Sequence, residues 1–274
     1  MFMIRMIACD LDGTLLDEAA HVRPQAAHEL HQLWLQGLHV VVATGRSWRT
    51  AVRVQRELGI SGPIVAHNGA YVFNPALPQP DLYRHGVPIT RTQEMMRWGF
   101  RHHAHLRCYL GYANPVLFTQ FPPDYDVWQK PEDQVITEDT AIETEPLEIL
   151  MLGNRKVTQF IDDFGYQGPD YELTVFSHIG YQEVNICAPR VTKAEGLQHL
   201  AHLYHIKPHE VLAIGDGMND LPMLQWAGVS VAVGEGLEAC HQVADYITPV
   251  PCSDPVSAAL SWAWRKHLLR PLPT

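Results

Sequence analysis

The sequence predicts an α/β fold: a Rossmann-like, doubly wound parallel sheet interrupted by an inserted α+β domain. Three observations carry that expectation. Short apolar strands alternate with helical segments from Ile4 to Phe73; the alternation breaks down between Tyr83 and Val184; and it resumes from Ala194 onward. A chain of 274 residues is long for one domain, and about two domains is the expectation from length.

The elements follow in order. Ile4–Cys9 is a short apolar run, broken by Arg5 and followed at once by Asp10 and Asp12, which suits a buried first strand and not a secretion signal. Pro24–Gln36 carries Leu30, Leu33 and Trp34 at helical spacing, and Gly37 ends it. Valine-rich His39–Ala43 is too short for a helix and fits a strand buried on both faces. Ser47 is placed to cap a helix that runs to about Leu58 and stops at Gly59. Pro63–Ala66 is a third strand, and Asn68-Gly69 reads as a hairpin turn into Ala70–Phe73. The irregular stretch then offers helices over Thr90–His103 and Val157–Phe164. Its expected strands are Leu106–Tyr112, Val116–Phe118, Leu147–Leu152, Glu172–Phe176 and Glu183–Cys187. Beyond it come helix Ala194–Tyr204, strand Val211–Ile214, helix Leu221–Trp226, strand Ser230–Val233 and a terminal helix near Pro255–Leu268. The expected organisation is a core over residues 1–82 and 188–274 with an insert over 83–187.

Composition narrows the function. Apolar residues make up 46% and charged ones 18%, a balance that excludes extensive disorder. With 20 Lys+Arg against 30 Asp+Glu, the net charge of −10 repels nucleic acid and anionic lipid, so neither is an expected partner. No run of about 18 apolar residues is present, and a membrane-spanning helix is not expected. The five cysteines are odd in number, scattered and without a CxxC, which points to a reducing, cytoplasmic setting. Nothing in the sequence marks an oligomeric state.

Four short motifs carry chemistry. Asp10-Leu11-Asp12-Gly13-Thr14 follows the first strand, at the carboxyl end where ligands bind in a doubly wound sheet. Two carboxylates two residues apart suit a divalent cation and an electrophile in one cleft, although Asp-Gly alone also makes a turn. Thr44-Gly45-Arg46-Ser47 joins a strand end to a helix N-terminus, an arrangement that suits an anion, with Arg46 placed to grip an oxyanion. It is equally a capped turn. Asp216, Asn219 and Asp220 lie within five residues after the strand Val211–Ile214, and burying them together calls for a cation. Lys193 opens a helix, where a cation opposes the dipole unless it faces an anion.

Taken together, Asp10-Leu11-Asp12-Gly13-Thr14-Leu15-Leu16, Thr44-Gly45-Arg46, Lys193 and Gly215-Asp216-Gly217-Met218-Asn219-Asp220 resemble, in order, the four motifs of the haloacid dehalogenase superfamily. The insert is similar in size and position to the α/β cap of its Cof-like branch. The resemblance implies a Mg²⁺-dependent phosphatase acting on a small phosphorylated metabolite, a sugar phosphate or a phosphorylated cofactor. It further implies Asp10 as nucleophile, Asp12 as general acid/base, and Thr44 and Lys193 as stabilising groups. Asp10, the Asp12 carbonyl and Asp216 would hold Mg²⁺ with support from Asn219 and Asp220, and Gly13, Gly45, Arg46, Asn68 and Asn219 would line the phosphate. A sugar-phosphate phosphomutase and a non-catalytic phosphometabolite-binding module are the alternative readings. The stretches Pro189-Arg190-Val191-Thr192 and Val233-Gly234-Glu235-Gly236 depart from the usual branch pattern. Among 16 histidines, His102 and His105 are spaced to share a helix face, but without an acidic or cysteine partner they read as exposed surface. Tyr125 and Trp128, in a proline-rich part of the insert, are candidate substrate contacts.

Overall fold

The computed structural model describes residues 3–121, 130, 132–178 and 180–269. Tyr125 and Trp128 lie outside the described residues. The chain divides into two compact units, Met1–Tyr83 with Thr192–Thr274, and Arg84–Val191.

The first unit opens with β1 (Met6–Cys9), four buried residues that offer apolar surface to both faces of the sheet. An irregular turn over Leu11–Leu15 follows, closed by Leu16 N–H on the Leu11 carbonyl at 2.8 Å. Gly13 sits there at φ 75°, a conformation glycine adopts without steric cost. Then come α1 (Pro24–Leu35), β2 (His39–Ala43), α2 (Trp48–Glu57), β3 (Ile64–Ala66), β4 (Tyr71–Phe73) and β5 (Asp81–Arg84). β3 and β4 pair antiparallel through the His67–Gly69 turn, as a hairpin requires.

The inserted unit contains α3 (Ile89–Arg101), β6 (His105–Tyr109), β7 (Val116–Phe118), β8 (Gln134–Val135), β9 (Glu148–Gly153), α4 (Arg155–Phe164), β10 (Glu172–His178) and β11 (Tyr181–Cys187). Its sheet runs β10-β11-β9-β6-β7-β8 and is antiparallel except between β7 and β8. Met95, Met96 and Trp98 of α3 and Val157 and Phe160 of α4 pack with Leu106, Cys108, Ile149, Met151 and Val184 into one apolar core.

The chain returns to the first unit with α5 (Lys193–Leu203), β12 (Val211–Gly215), α6 (Leu221–Trp226), β13 (Val229–Ala232), α7 (Glu238–His241), β14 (Tyr246–Ile247) and α8 (Pro255–Arg265). The sheet order is β14-β13-β12-β1-β2-β3-β4-β5, parallel from β14 to β3. Strand order therefore reverses at β1 and β12, the switch point that opens a crevice at the carboxyl ends of the strands. Leu197, Leu200 and Ala201 of α5 close one face of the sheet over Met6, Ala8, Val41 and Ala213.

Two local expectations are corrected. Ser47 flanks α2 but makes no side-chain cap; the Trp48 N–H instead donates to the His67 ring at 3.2 Å. Strands β5, β8 and β14 and helix α7 were not anticipated, because each is too short to show a period.

Candidate active site

Asp10 begins where β1 ends, its N–H donating to the Ile214 carbonyl of β12 at 3.0 Å. The pairing of β1 with β12 thus sets its carboxylate beside the loop that follows β12. Lys193, the first residue of α5, is fully buried and donates from Nζ to both Asp10 Oδ1 and, at 2.6 Å, Asp220 Oδ1. The unfavourable place of a lysine at a helix start is explained: it faces two anions. Thr192 caps the same helix by accepting from the Glu195 N–H at 3.2 Å. Asp220 is also fully buried, and its Oδ2 accepts from the N–H groups of Asp216, at 3.0 Å, and Gly217, at 2.9 Å. Those bonds hold the 216–220 loop in a tight turn. Thr14 Oγ1 donates to Asp216 Oδ1 at 2.9 Å.

The electrostatics follow from burial. Asp10 is pushed up to about 7 by burial, against the lowering pull of Lys193, with Asp220 pushing further upward. Asp216 is raised by burial, with the Thr14 bond pulling the other way. Burial drags Lys193 down, but Asp10 and Asp220 more than offset it, and the ammonium form is favoured. One carboxylate oxygen from each of Asp10, Asp216 and Asp220 lies within 4.8 Å of the others, the one such acidic or metal-type group among the described residues.

Asp12 and Arg46 form a second pair. Arg46 donates from Nε to Asp12 Oδ2 at 2.8 Å and from a terminal nitrogen to Oδ1 at 2.5 Å, a bidentate grip. Arg46 was expected to face a bound oxyanion; here its guanidinium is committed to the second aspartate of the first motif. The Asp12 hydrogen bond raises the Arg46 pKa further. Thr44 is fully buried, accepts from the Arg46 N–H at Oγ1 (3.0 Å), and keeps its hydroxyl hydrogen to offer elsewhere.

The remaining sequence candidates join the same set of loops. Asn219 Nδ2 donates to Asn68 Oδ1 at 3.1 Å. Gly13 and Gly45 are close-approach positions: a Cβ on Gly13 would come within 2.4 Å of Asp216 Oδ2, and one on Gly45 within 2.7 Å of Asn68 Oδ1. Thr14, part of the first motif, and His67, in the loop after the third strand, are site-building residues to which the sequence assigned no role of their own. Thr14 was legible as a motif residue and His67 as part of a loop that could meet the cleft; their partners, Asp216 and the Trp48 N–H, were not. Among the described residues His102 and His105 take part in no metal-type group, and they share no helix face, because α3 ends at Arg101 and His105 opens β6; both are half-buried rather than exposed, His102 stacking on Trp98 with centroids 4.3 Å apart and His105 facing the Gln120 carbonyl.

A family model described as haloacid dehalogenase-like hydrolase matches residues 7–260. The chain is 25% identical over 263 residues to the 5-amino-6-(5-phospho-D-ribitylamino)uracil phosphatase YitU of Bacillus subtilis, covering 93% of this chain and 96% of that protein. It is 27% identical over 270 residues to the chloroplastic endoribonuclease YBEY of Arabidopsis thaliana, but spans only 45% of that longer protein. Among solved structures, a haloacid dehalogenase-like hydrolase from Bacteroides thetaiotaomicron superposes with a TM-score of 0.77 at 24% identity, over 94% of this chain and 99% of that one. With the family match spanning both halves of the interrupted sheet, three motifs at the ends of β1, β2 and β12, and the lysine of the other at the start of α5, the chain belongs to the haloacid dehalogenase-like hydrolases.

Proposed function

We propose that the chain is a Mg²⁺-dependent phosphatase that hydrolyses a small phosphorylated metabolite through an aspartyl-phosphate on Asp10. Hydrolysis of phosphate monoesters as a class rests on the family and its phosphatase relatives; the route, the metal and the substrate are the proposal. The observation that carries it is the buried Asp10 carboxylate held by Lys193 beside Asp216, with Asp12 clamped two residues on.

In the first step the Asp10 carboxylate attacks phosphorus, the bond to the leaving oxygen breaks, and Asp12 delivers a proton to that oxygen. In the second, Asp12 takes a proton from water, the oxygen of that water bonds to phosphorus, and the bond to Asp10 breaks. Arg46 occupies one lone pair on each Asp12 oxygen and leaves others for the travelling proton. Lys193 holds Asp10 in place and offsets charge as an anion approaches. The Thr44 hydroxyl, Gly45 and the Asn68–Asn219 pair supply polar surface for the phosphoryl oxygens.

The acidic group fits a divalent cation. Three carboxylates meet one ammonium, so two negative charges are in excess. Both Asp220 oxygens are already engaged, which leaves Asp10 and Asp216 to hold the ion together with the Asp12 carbonyl, and Asn219 and Asp220 to support them. Bound Mg²⁺ supplies neutralisation of the phosphate and carboxylate charges. The substrate class is a sugar phosphate or a phosphorylated cofactor; the name of the relative YitU gives a phosphorylated ribitylaminouracil as the substrate of that protein.

Turnover of p-nitrophenyl phosphate and of a panel of phosphorylated metabolites, with Mg²⁺ and with chelator, tests this reading. Mg²⁺-dependent release of phosphate is expected. Full activity in chelator contradicts the metal, and no turnover of any ester contradicts the phosphatase.

A further inference from the structure

We infer that His67 is a positioning residue for the acid/base step, holding the Arg46 clamp on Asp12; the inference rests on the acid/base role proposed above for Asp12. His67 lies at the end of β3, outside the four motifs, and is 1% exposed. Its backbone N–H donates to the Arg46 carbonyl at 3.1 Å, and its ring Nε2 accepts from the Trp48 N–H at 3.2 Å. The imidazole thereby takes the capping place that Ser47 leaves empty. Arg46 is bracketed on its other side as well, because its N–H donates to Thr44 Oγ1 at 3.0 Å and the Thr44 carbonyl accepts from the Asn68 N–H at 3.0 Å. The Arg46 carbonyl is thus tied directly to residue 67, and the Arg46 N–H to residue 68 only by way of Thr44. From that fixed origin the guanidinium reaches both Asp12 oxygens.

The loop that carries His67 is itself held against movement. His67 and Asn68 stand at φ 51° and 55°, and Gly69 follows at 102°. Two consecutive non-glycine residues in the left-handed region persist only where their surroundings fix them. Gly69 is seated so closely on the start of α5 that a Cβ there would come within 2.0 Å of the Thr192 carbonyl oxygen. The turn therefore links the second motif to the lysine of the third. A ring nitrogen that accepts from an N–H must keep its lone pair, so the ring proton resides on Nδ1. His67 touches no reacting atom in this account; it acts through Arg46.

The test compares two esters. Loss of the clamp should matter when the leaving group needs a proton and hardly at all when it does not. With an alkyl phosphate, His67→Phe should lower kcat/KM by about tenfold or more, and with p-nitrophenyl phosphate by less than about threefold. His67→Gln, whose side-chain oxygen reaches about as far as Nε2, should restore most of the difference. Arg46→Ala should show the same ester selectivity, and adding His67→Phe to it should cost little more, since both act on one pair. Equal slowing of both esters, no rescue by Gln, or multiplicative effects in the double variant would overturn the inference. Melting temperatures of all variants accompany the rates, and if the Phe variant does not fold, the Gln variant must still keep the wild-type ester ratio. Asp12→Asn, measured alongside, separates failure of the acid/base reading from failure of His67: equal slowing of both esters in that variant overturns the acid/base reading and the inference with it, whereas ester-selective slowing there and none in His67→Phe overturns the inference alone. Long-range ¹H–¹⁵N correlation then judges His67 without reference to activity, with a proton on Nδ1 expected and one on Nε2 overturning the assignment.

Discussion

Asp10 owes its chemical character to where it is buried. Burial pushes the Asp10 carboxyl up to about 7, so a proton competes with a cation for it near neutral pH. A cation binds the carboxylate and not the acid, so Mg²⁺ binding near pH 7 should expel protons from the site. The sign follows directly: more protons are released as pH falls below 7, Mg²⁺ affinity weakens in that direction, and release vanishes about two units above. Calorimetric titration of Mg²⁺ in two buffers of different ionisation enthalpy measures this. A binding heat independent of buffer at pH 7 would contradict it. The aspartates, Lys193 and the Thr44 and Arg46 pair were readable in the sequence because their types and spacings are local. The partner of Arg46 was not, since Asp12 and Arg46 meet only when β1 and β2 pair in parallel. His67 was legible as a turn residue in a loop that could meet the cleft, but its contact with Trp48 was not, because that depends on how β3 follows α2.

The helices of the core unit are anchored at their ends as much as along their faces. Asp254 is the clearest case: Oδ1 accepts from the Ser257 N–H in the first turn of α8 at 3.0 Å, while Oδ2 accepts from the Ala26 N–H in the first turn of α1 at 3.1 Å. One carboxylate thus satisfies orphan donors of two helices and adds a favourable charge at both N-termini. Asp254→Ala should cost about 1–3 kcal/mol of stability, read by urea unfolding, with little effect on kcat. A loss below about 0.5 kcal/mol would show that water replaces the cap. The long elements were legible from period and punctuation, as in α1 between Pro24 and Gly37. β5 was not: Asp81-Leu82-Tyr83-Arg84 follows a proline-rich stretch, carries charge at both ends, and becomes a strand only by pairing at the sheet edge.

In the molecule as a whole, the α/β rhythm that stops and resumes in the sequence corresponds to one sheet built from both ends of the chain, with β1 and β12 adjacent at its centre. That adjacency places Asp10 from the first half next to Lys193, Asp216 and Asp220 from the second, on either side of an insert of about one hundred residues. The insert has its own sheet and core, and its sequence carries no motif that names a substrate. The proposed two-step reaction draws on both halves, and Asp12→Asn examines it most directly. The amide keeps the loop's shape but removes the proton for the leaving group and the base for water. p-Nitrophenolate leaves without protonation, so phosphoryl transfer to Asp10 should remain fast while hydrolysis from it slows by about 10²–10⁴-fold. Rapid-quench measurement should show a burst of p-nitrophenol, with phosphate on the peptide that contains Asp10. No burst, no labelled Asp10, and equal slowing for p-nitrophenyl and alkyl esters would contradict the account.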